Sequence, residues 1–329
     1  MTQPSSERLQ AANDQIQRLE AAIRSVYIGQ DELVTCVLTA LIAGGNLLLE
    51  GSPGLGKTLL VRVLSQALAL DARRIQFTPD LMPADITGGT TLVREEGGGT
   101  HLAFRPGPVF ANIVLADEIN RGTPKTQSAL LEAMQERSVT VGGERRVLDA
   151  PFFVIATQNP IEHEGTYPLP EAQLDRFLMK LLVPFPGHAE LVRIGLETTR
   201  GDLPEVAAVL DRESLLGLQS LCRDIVVSDE VAELAARLVL ATHPDQPDAG
   251  PDVQRFVRHG ASPRAMQALL QAGRARALIA GRPWVSANDL RAVAAPILRH
   301  RVHLGLEAEL EGVGAESLVS TVVAAVLPA

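Results

Sequence analysis

Eight residues, Gly51-Ser52-Pro53-Gly54-Leu55-Gly56-Lys57-Thr58, hold the spacing G-x-x-x-x-G-K-[ST], which suits a phosphate chain. The glycines let successive backbone N–H groups turn inward on an anion. The Lys57 ammonium can reach β- and γ-phosphates, and the Thr58 hydroxyl offers a ligand to Mg²⁺. About sixty residues on, the apolar run Ile113-Val114-Leu115-Ala116 ends in Asp117-Glu118. A carboxylate at the end of a strand beside a phosphate loop helps hold Mg²⁺, which fits Asp117. Glu118 fits a general base that polarises water for attack on the γ-phosphate. Taken singly, Asp-Glu after an apolar run also describes a strand entering a solvated turn. Behind the phosphate loop, the pair points to nucleotide hydrolysis rather than binding alone. A third apolar run, Phe152-Phe153-Val154-Ile155-Ala156, ends in Thr157-Gln158-Asn159-Pro160. There Asn159 or Thr157 could orient water or touch the γ-phosphate, or Asn-Pro could simply close a strand.

These groups need a scaffold of strands and helices. Asn46 to Glu50 reads as a buried strand before the loop, and Leu59, Leu60, Val63, Leu64 and Leu68 have helical spacing after it. The loop therefore ends at a helix N-terminus, where anions bind well. Upstream, residues 5 to 26 read as a helix with Ile16, Leu19, Ile23 and Val26 on one stripe and Ser6 as N-cap. A second helix follows Gly29-Gln30-Asp31. Further strands are expected at residues 74–77, 113–116, 152–156 and 178–183. Strands alternating with helices imply a parallel sheet covered on both faces, hence an α/β fold. Two hairpins break the alternation, at residues 89–104 around Gly97-Gly98-Gly99 and at 138–148 around Gly142-Gly143. Beyond Pro184 and Pro186 only helical patterns are read, and His243 to Pro251 reads as a loop. The expected organisation is an α/β core over residues 1–187 and an all-α domain over 188–329.

Bulk properties narrow the function classes. The chain has 329 residues, 46% of them hydrophobic, enough for two domains and a large core. A net charge of −9 argues against gripping nucleic acid on a broad basic face. Cys36 and Cys222 lie in apolar helical patterns without metal-ligand spacing, and are expected as buried thiols of a reducing compartment. The polar N-terminus has no signal-peptide pattern, and no apolar run approaches the ~20 residues of a membrane span. A soluble, cytoplasmic protein is expected.

In their order, the phosphate loop, Asp117-Glu118-Ile119-Asn120-Arg121, Thr157-Gln158-Asn159-Pro160 and Leu174-Asp175-Arg176-Phe177 resemble an AAA+ ATPase. The strings Gln127-Ser128-Ala129-Leu130-Leu131-Glu132-Ala133-Met134-Gln135-Glu136, residues 164–177 and Gly260-Ala261-Ser262-Pro263-Arg264 are similar to the MoxR subfamily. The resemblance runs from about residue 10 to residue 303. It implies a P-loop core with a helical lid, ATP and Mg²⁺ as cofactors, and a nucleotide-binding set of Gly51 to Leu59 with Ile28 and Gly29 beside the adenine. It also implies Asn159 as sensor 1, Arg176 as arginine finger and Arg264 as sensor 2, acting in cis or in trans, with Arg121 a rival to Arg176. Ser262-Pro263 makes a good N-cap and first-turn pair, which would set Arg264 in a rigid helical turn. The hairpins correspond to inserts that face the pore in hexamers of related ATPases, or are surface decoration. The function implied is chaperone-like remodelling of partner complexes by a hexamer, including metal-cofactor insertion, often with a von Willebrand factor A domain partner. The alternatives are a metal-chelatase-type ATPase subunit and a nucleic-acid motor.

Overall fold

The computed structural model describes residues 5–94, 100–160, 165–199 and 205–327. Helices α1 (Ser6–Arg24) and α2 (Asp31–Ala43) lead into β1 (Leu47–Glu50). Helix α3 (Lys57–Ala67) follows the phosphate loop and returns the chain to β2 (Ala72–Gln76). Helix α4 (Pro83–Thr87), a hairpin of β3 (Gly88–Arg94) and β4 (Thr100–Pro106), strand β5 (Ile113–Asp117) and helix α5 (Pro124–Glu136) come next. A second hairpin, β6 (Ser138–Val141) and β7 (Glu144–Val147), precedes β8 (Phe153–Gln158), α6 (Glu171–Leu174) and β9 (Met179–Leu182). The cap of α1 is Ser5 rather than Ser6: its Oγ accepts from the Arg8 N–H at 3.4 Å.

Five strands form one parallel sheet in the order β2-β5-β8-β1-β9. Because all run the same way, their carboxyl ends share one edge of the sheet. The central strands alternate strictly between two cores. Leu47, Leu49, Ile113, Leu115, Phe153 and Ile155 join the cluster under α1, α2 and α3. Leu48, Val114, Ala116, Val154 and Ala156 join the cluster under α4 and α5. Burial on both faces explains why these strands read as continuous apolar runs. Each fully buried Leu or Val contributes about 1.5–3 kcal/mol, so the sheet is a rigid platform for whatever its edge presents.

The two hairpins pack on each other. The Arg146 guanidinium lies 3.9 Å from the centre of the Phe104 ring, and Phe104 meets Phe110 edge-on at 5.5 Å. Leu92, Leu102 and Val147 are left exposed on them. The turn expected at Gly97-Gly98-Gly99 lies outside the described residues.

Past β9 the chain is helical: α7 (His188–Thr198), α8 (Arg212–Asp224), α9 (Asp229–Leu240), α10 (Pro251–Phe256), α11 (Pro263–Ile279), α12 (Ala287–Leu298), α13 (Leu306–Glu311) and α14 (Ala315–Val326). The expectation of a strand-free second part needs correction. Strands β10 (Val257–His259) and β11 (His303–Leu304) pair antiparallel across it. At three residues or fewer, neither carries a legible alternation. One apolar cluster runs across both parts, joining α1, α2 and α3 with α8, α9, α11, α12 and α14. Asn13 of α1 donates to the Ile279 carbonyl at 2.7 Å across that junction. Both cysteines are buried thiols, and burial pushes Cys36 up to about 11 and Cys222 up to about 12. No helix among the described residues is long and apolar enough to cross a membrane.

Candidate nucleotide site

The phosphate loop leaves the carboxyl end of β1 and enters α3 with Gly56 as N-cap, at φ 76°. That left-handed backbone is easy only for glycine, and with no side chain capping the helix, the first-turn N–H groups stay available to an anion. Gly51 serves another need: a Cβ there would lie 2.9 Å from both Cβ and the carbonyl oxygen of Val183. Tyr27 braces the loop from the side: its single O–H is shared between Gln30 Oε1 at 3.1 Å and the Leu55 carbonyl at 3.4 Å. Gln30 in turn donates to the Pro184 carbonyl at 3.1 Å. The segment holding Ile28 and Gly29 is thus pinned between the loop and the chain that leaves the sheet.

Residues 53–58, Asp117, Glu118, Thr157 and Asn159 line one cleft of about 240 Å³. Lys57 donates to the Gly51 carbonyl. Burial pushes the Lys57 ammonium below its ordinary pKa, against the pull of Asp117, Glu118 and Glu50. Thr157 ties the acids together: its hydroxyl donates to Asp117 Oδ1 at 2.6 Å and accepts from the Glu118 N–H at 2.9 Å. Glu118 itself is left-handed, at φ 55° and ψ 50°, a costly state for a non-glycine residue. Its Oε2 accepts from Gln76 at 3.0 Å and from Arg121 at 3.0 Å. Asp117 Oδ2 accepts two donors of Arg74, at 2.6 and 3.1 Å.

The oxygen donors in the cleft suit a nucleotide-borne Mg²⁺. Thr58 and Asp117 present hard oxygen donors, the type Mg²⁺ takes, to one phosphate-sized cleft. Among the described residues no group of three or more His, Cys, Asp or Glu forms a self-sufficient metal cage. Such a cage is not what a metal held largely by phosphate oxygens needs.

Arg74 and Gln76 escaped the sequence reading. They occupy alternate positions of edge strand β2 and so reach the same carboxyl edge as the acids. Two polar groups at i and i+2 beside an apolar Ile75 were the available signal. Gln127 was seen only as part of a motif string. Fully buried on α5, its amide nitrogen shares two N–H donors among the carbonyls of Tyr167 at 2.8 Å, Gly122 at 3.1 Å and Ile119 at 3.2 Å. It thereby fixes the turn that carries Arg121.

Arg176 and Arg264 do not join this cleft. With Asp175 and Arg301 they line another, of about 290 Å³, beside residues 44–46. Residues 44–46 precede β1 and residues 175–178 precede β9, so this second cleft opens at the amino edge of the sheet. Strands of four to six residues separate the two, about 13–20 Å at ~3.3 Å per residue. Ser262 caps α11 as expected, with its Oγ accepting from the Arg264 N–H at 3.2 Å. Arg264 is 48% exposed there. Arg176 donates to the Leu131 carbonyl at 2.9 Å.

His300 backs the arginine loop. It is buried, its Nε2 lies 3.2 Å from the Phe177 carbonyl, and its Nδ1 has no partner. Burial first, then the adjacent Arg301 charge, holds its pKa well below 6.5. The unfolded chain binds a proton below about pH 6.5 that the native state refuses, so stability falls as pH falls. Wild type should lose about 1.4 kcal/mol per pH unit below pH 6.5 from this group alone. Urea unfolding between pH 7.5 and 5.5 should show that extra slope, and His300→Gln should remove it. Parallel pH profiles would refute the assignment.

Residues 46–179 match the model of the ATPase family associated with various cellular activities (AAA), and residues 251–322 match the AAA lid domain. The Bacillus subtilis protein YeaC is 43% identical, covering 92% of each chain. The chaperone MoxR1 of Mycobacterium tuberculosis is 40% identical, covering 96% of this chain and 83% of its own. A crystal structure of a Cytophaga hutchinsonii protein described as a candidate ATPase superimposes with a TM-score of 0.89 at 36% identity, covering 96% of each chain.

Proposed function

The chain belongs to the MoxR family of AAA+ ATPases, and from that premise we propose that it couples Mg-dependent ATP hydrolysis to chaperone-like remodelling of a partner complex. One observation carries the reading. The phosphate loop, both acids, Thr157 and Asn159 converge in a single cleft at the carboxyl edge of the sheet. Loop amides and Lys57 would hold the phosphates, with Ile28 and Gly29 beside the base. Mg²⁺, held by Thr58 and Asp117, would supply neutralising charge across the phosphate oxygens. Glu118 would take the proton from the attacking water, and Asn159 would place that water.

The opposite placement of Arg176 and Arg264 supports a ring, since neither can span the sheet to its own nucleotide. Both would serve the site of an adjoining subunit, in a hexamer. Arg121 pairs with Glu118 of its own chain at 3.0 Å, which favours Arg176 as the finger. In this reading the core, residues 1–187, moves together with its lid, residues 188–329, against the adjoining subunit on hydrolysis, and carries the paired hairpins with it. The net charge of −9 favours a protein client over nucleic acid. Maturation of metal-cofactor complexes with a von Willebrand factor A domain partner, in the cytoplasm, is the role proposed; the buried thiols suit that compartment.

The test is hydrolysis per chain across a dilution series in saturating MgATP. The rate should rise with concentration and level off as rings fill, in step with mass measured by light scattering. A constant rate from a persistent monomer would defeat the reading.

A further inference from the structure

Asp175 is the meeting point of the lid and the loop that bears Arg176. Its Oδ1 accepts from Arg301 Nε at 2.7 Å, its Oδ2 accepts from the Ser262 hydroxyl at 2.9 Å, and Arg264 Nε lies 3.9 Å from the same Oδ2. Arg301 is 3% exposed. Its other donors go to the carbonyls of Asp175 at 3.2 Å, Phe177 at 2.7 Å, Leu178 at 3.2 Å and Ile297 at 2.6 Å. One Nη2 therefore bridges the carbonyls on either side of Arg176. The Arg176 backbone is locked to α12, while Ser262 ties the same carboxylate to the first turn of α11, where Arg264 sits.

A charged pair taken out of water gains little net stability over an apolar one, and a defined geometry is one thing it can supply. The geometry here relates two arginines that face one cleft. We propose that Asp175 is a positioning residue that, through Arg301 and Ser262, makes Arg176 and Arg264 a single two-pronged cation. The proposal rests on the reading that both arginines act on a neighbouring subunit's phosphates. A lid movement would then carry Arg176 with Arg264, so that one subunit's lid position governs hydrolysis next door.

Asp175→Asn keeps one oxygen, enough for Arg301, turns an NH2 toward the Ser262 hydroxyl, and removes the charge. Nucleotide affinity, read with a fluorescent ATP analogue, and KM should stay within about twofold of wild type. The kcat should drop by about 10- to 100-fold, the scale of a misplaced reacting group. A double-mutant cycle with Arg264→Ala is the decisive measurement. If the unit exists, Asp175→Asn slows the Arg264→Ala protein no further. Multiplying losses, or a fall in affinity matching the fall in kcat, would overturn the proposal. Should Asp175→Asn fail to fold, Arg301→Lys replaces it in the same cycle, because Lys keeps the charge but cannot bridge the flanking carbonyls. Wild-type rates in Arg176→Ala and Arg264→Ala would instead defeat the trans-acting reading itself. Slow arginine variants beside a normal Asp175→Asn would defeat the coupling alone.

Discussion

Exchange of Glu118 for Gln is expected to cut turnover by about 10²- to 10⁴-fold, the usual worth of a positioned general base, while nucleotide stays bound. The amide has nearly the same shape and can still accept from Arg121 or Gln76, which now meet at Oε2. It cannot take a proton from water. The surrounding frame should survive, because the backbone of Glu118 is fixed from Thr157 at 2.9 Å rather than through its own carboxylate. Affinity therefore has no reason to fall: Lys57, Thr58 and the loop amides are untouched. Loss of one negative charge beside the phosphates should even tighten binding. Phosphate release in saturating MgATP, with fluorescent-nucleotide titration, measures both quantities. Turnover within twofold of wild type would remove Glu118 as the base.

Much of this site was legible because its chemistry is written locally. The phosphate loop needs consecutive residues, and each acid or amide sits at the end of an apolar run. Strands β1, β5 and β8 were visible because both of their faces are buried, so nothing polar interrupts their apolar runs, whereas edge strand β9 buries only Met179 and Leu181 and carries Lys180 between them. What the sequence could not show is long-range. Arg301 and His300 look like ordinary charges at a helix end, and only the fold brings them 123 residues back to the arginine loop. Arg74 and Gln76 gain meaning only once β2 is laid beside β5. The short elements α10, α13, β10 and β11 are fixed by each other, through pairs such as Arg255 with Glu307 and Glu311. Helix α14 did have the spacing, with Leu318, Val319, Val322 and Val326 buried, but its N-cap, Gly314, offers no side-chain bond.

The placement of Arg176 leads to the largest expected effect. Arg176→Ala should leave nucleotide affinity intact and slow hydrolysis by about 10³- to 10⁵-fold, as loss of an arginine finger does elsewhere. The side chain must first release the Leu131 carbonyl, where its Nη1 now rests at 2.9 Å. That exchange is feasible, since its buried Nε has no partner to lose. The sharper measurement mixes two inactive proteins. In a ring with head-to-tail contacts, a site at the junction of an Arg176→Ala subunit and a Glu118→Gln subunit can hold an intact base from the first and an intact finger from the second. Random mixing in equal amounts makes about a quarter of the junctions competent, so activity should reappear from components that have almost none. An arginine serving its own subunit predicts otherwise, because every chain in the mixture lacks either its base or its finger. Mixed rings as inactive as their parents, with exchange verified by fluorescence transfer, would return Arg176 to a structural role at the amino edge of the sheet.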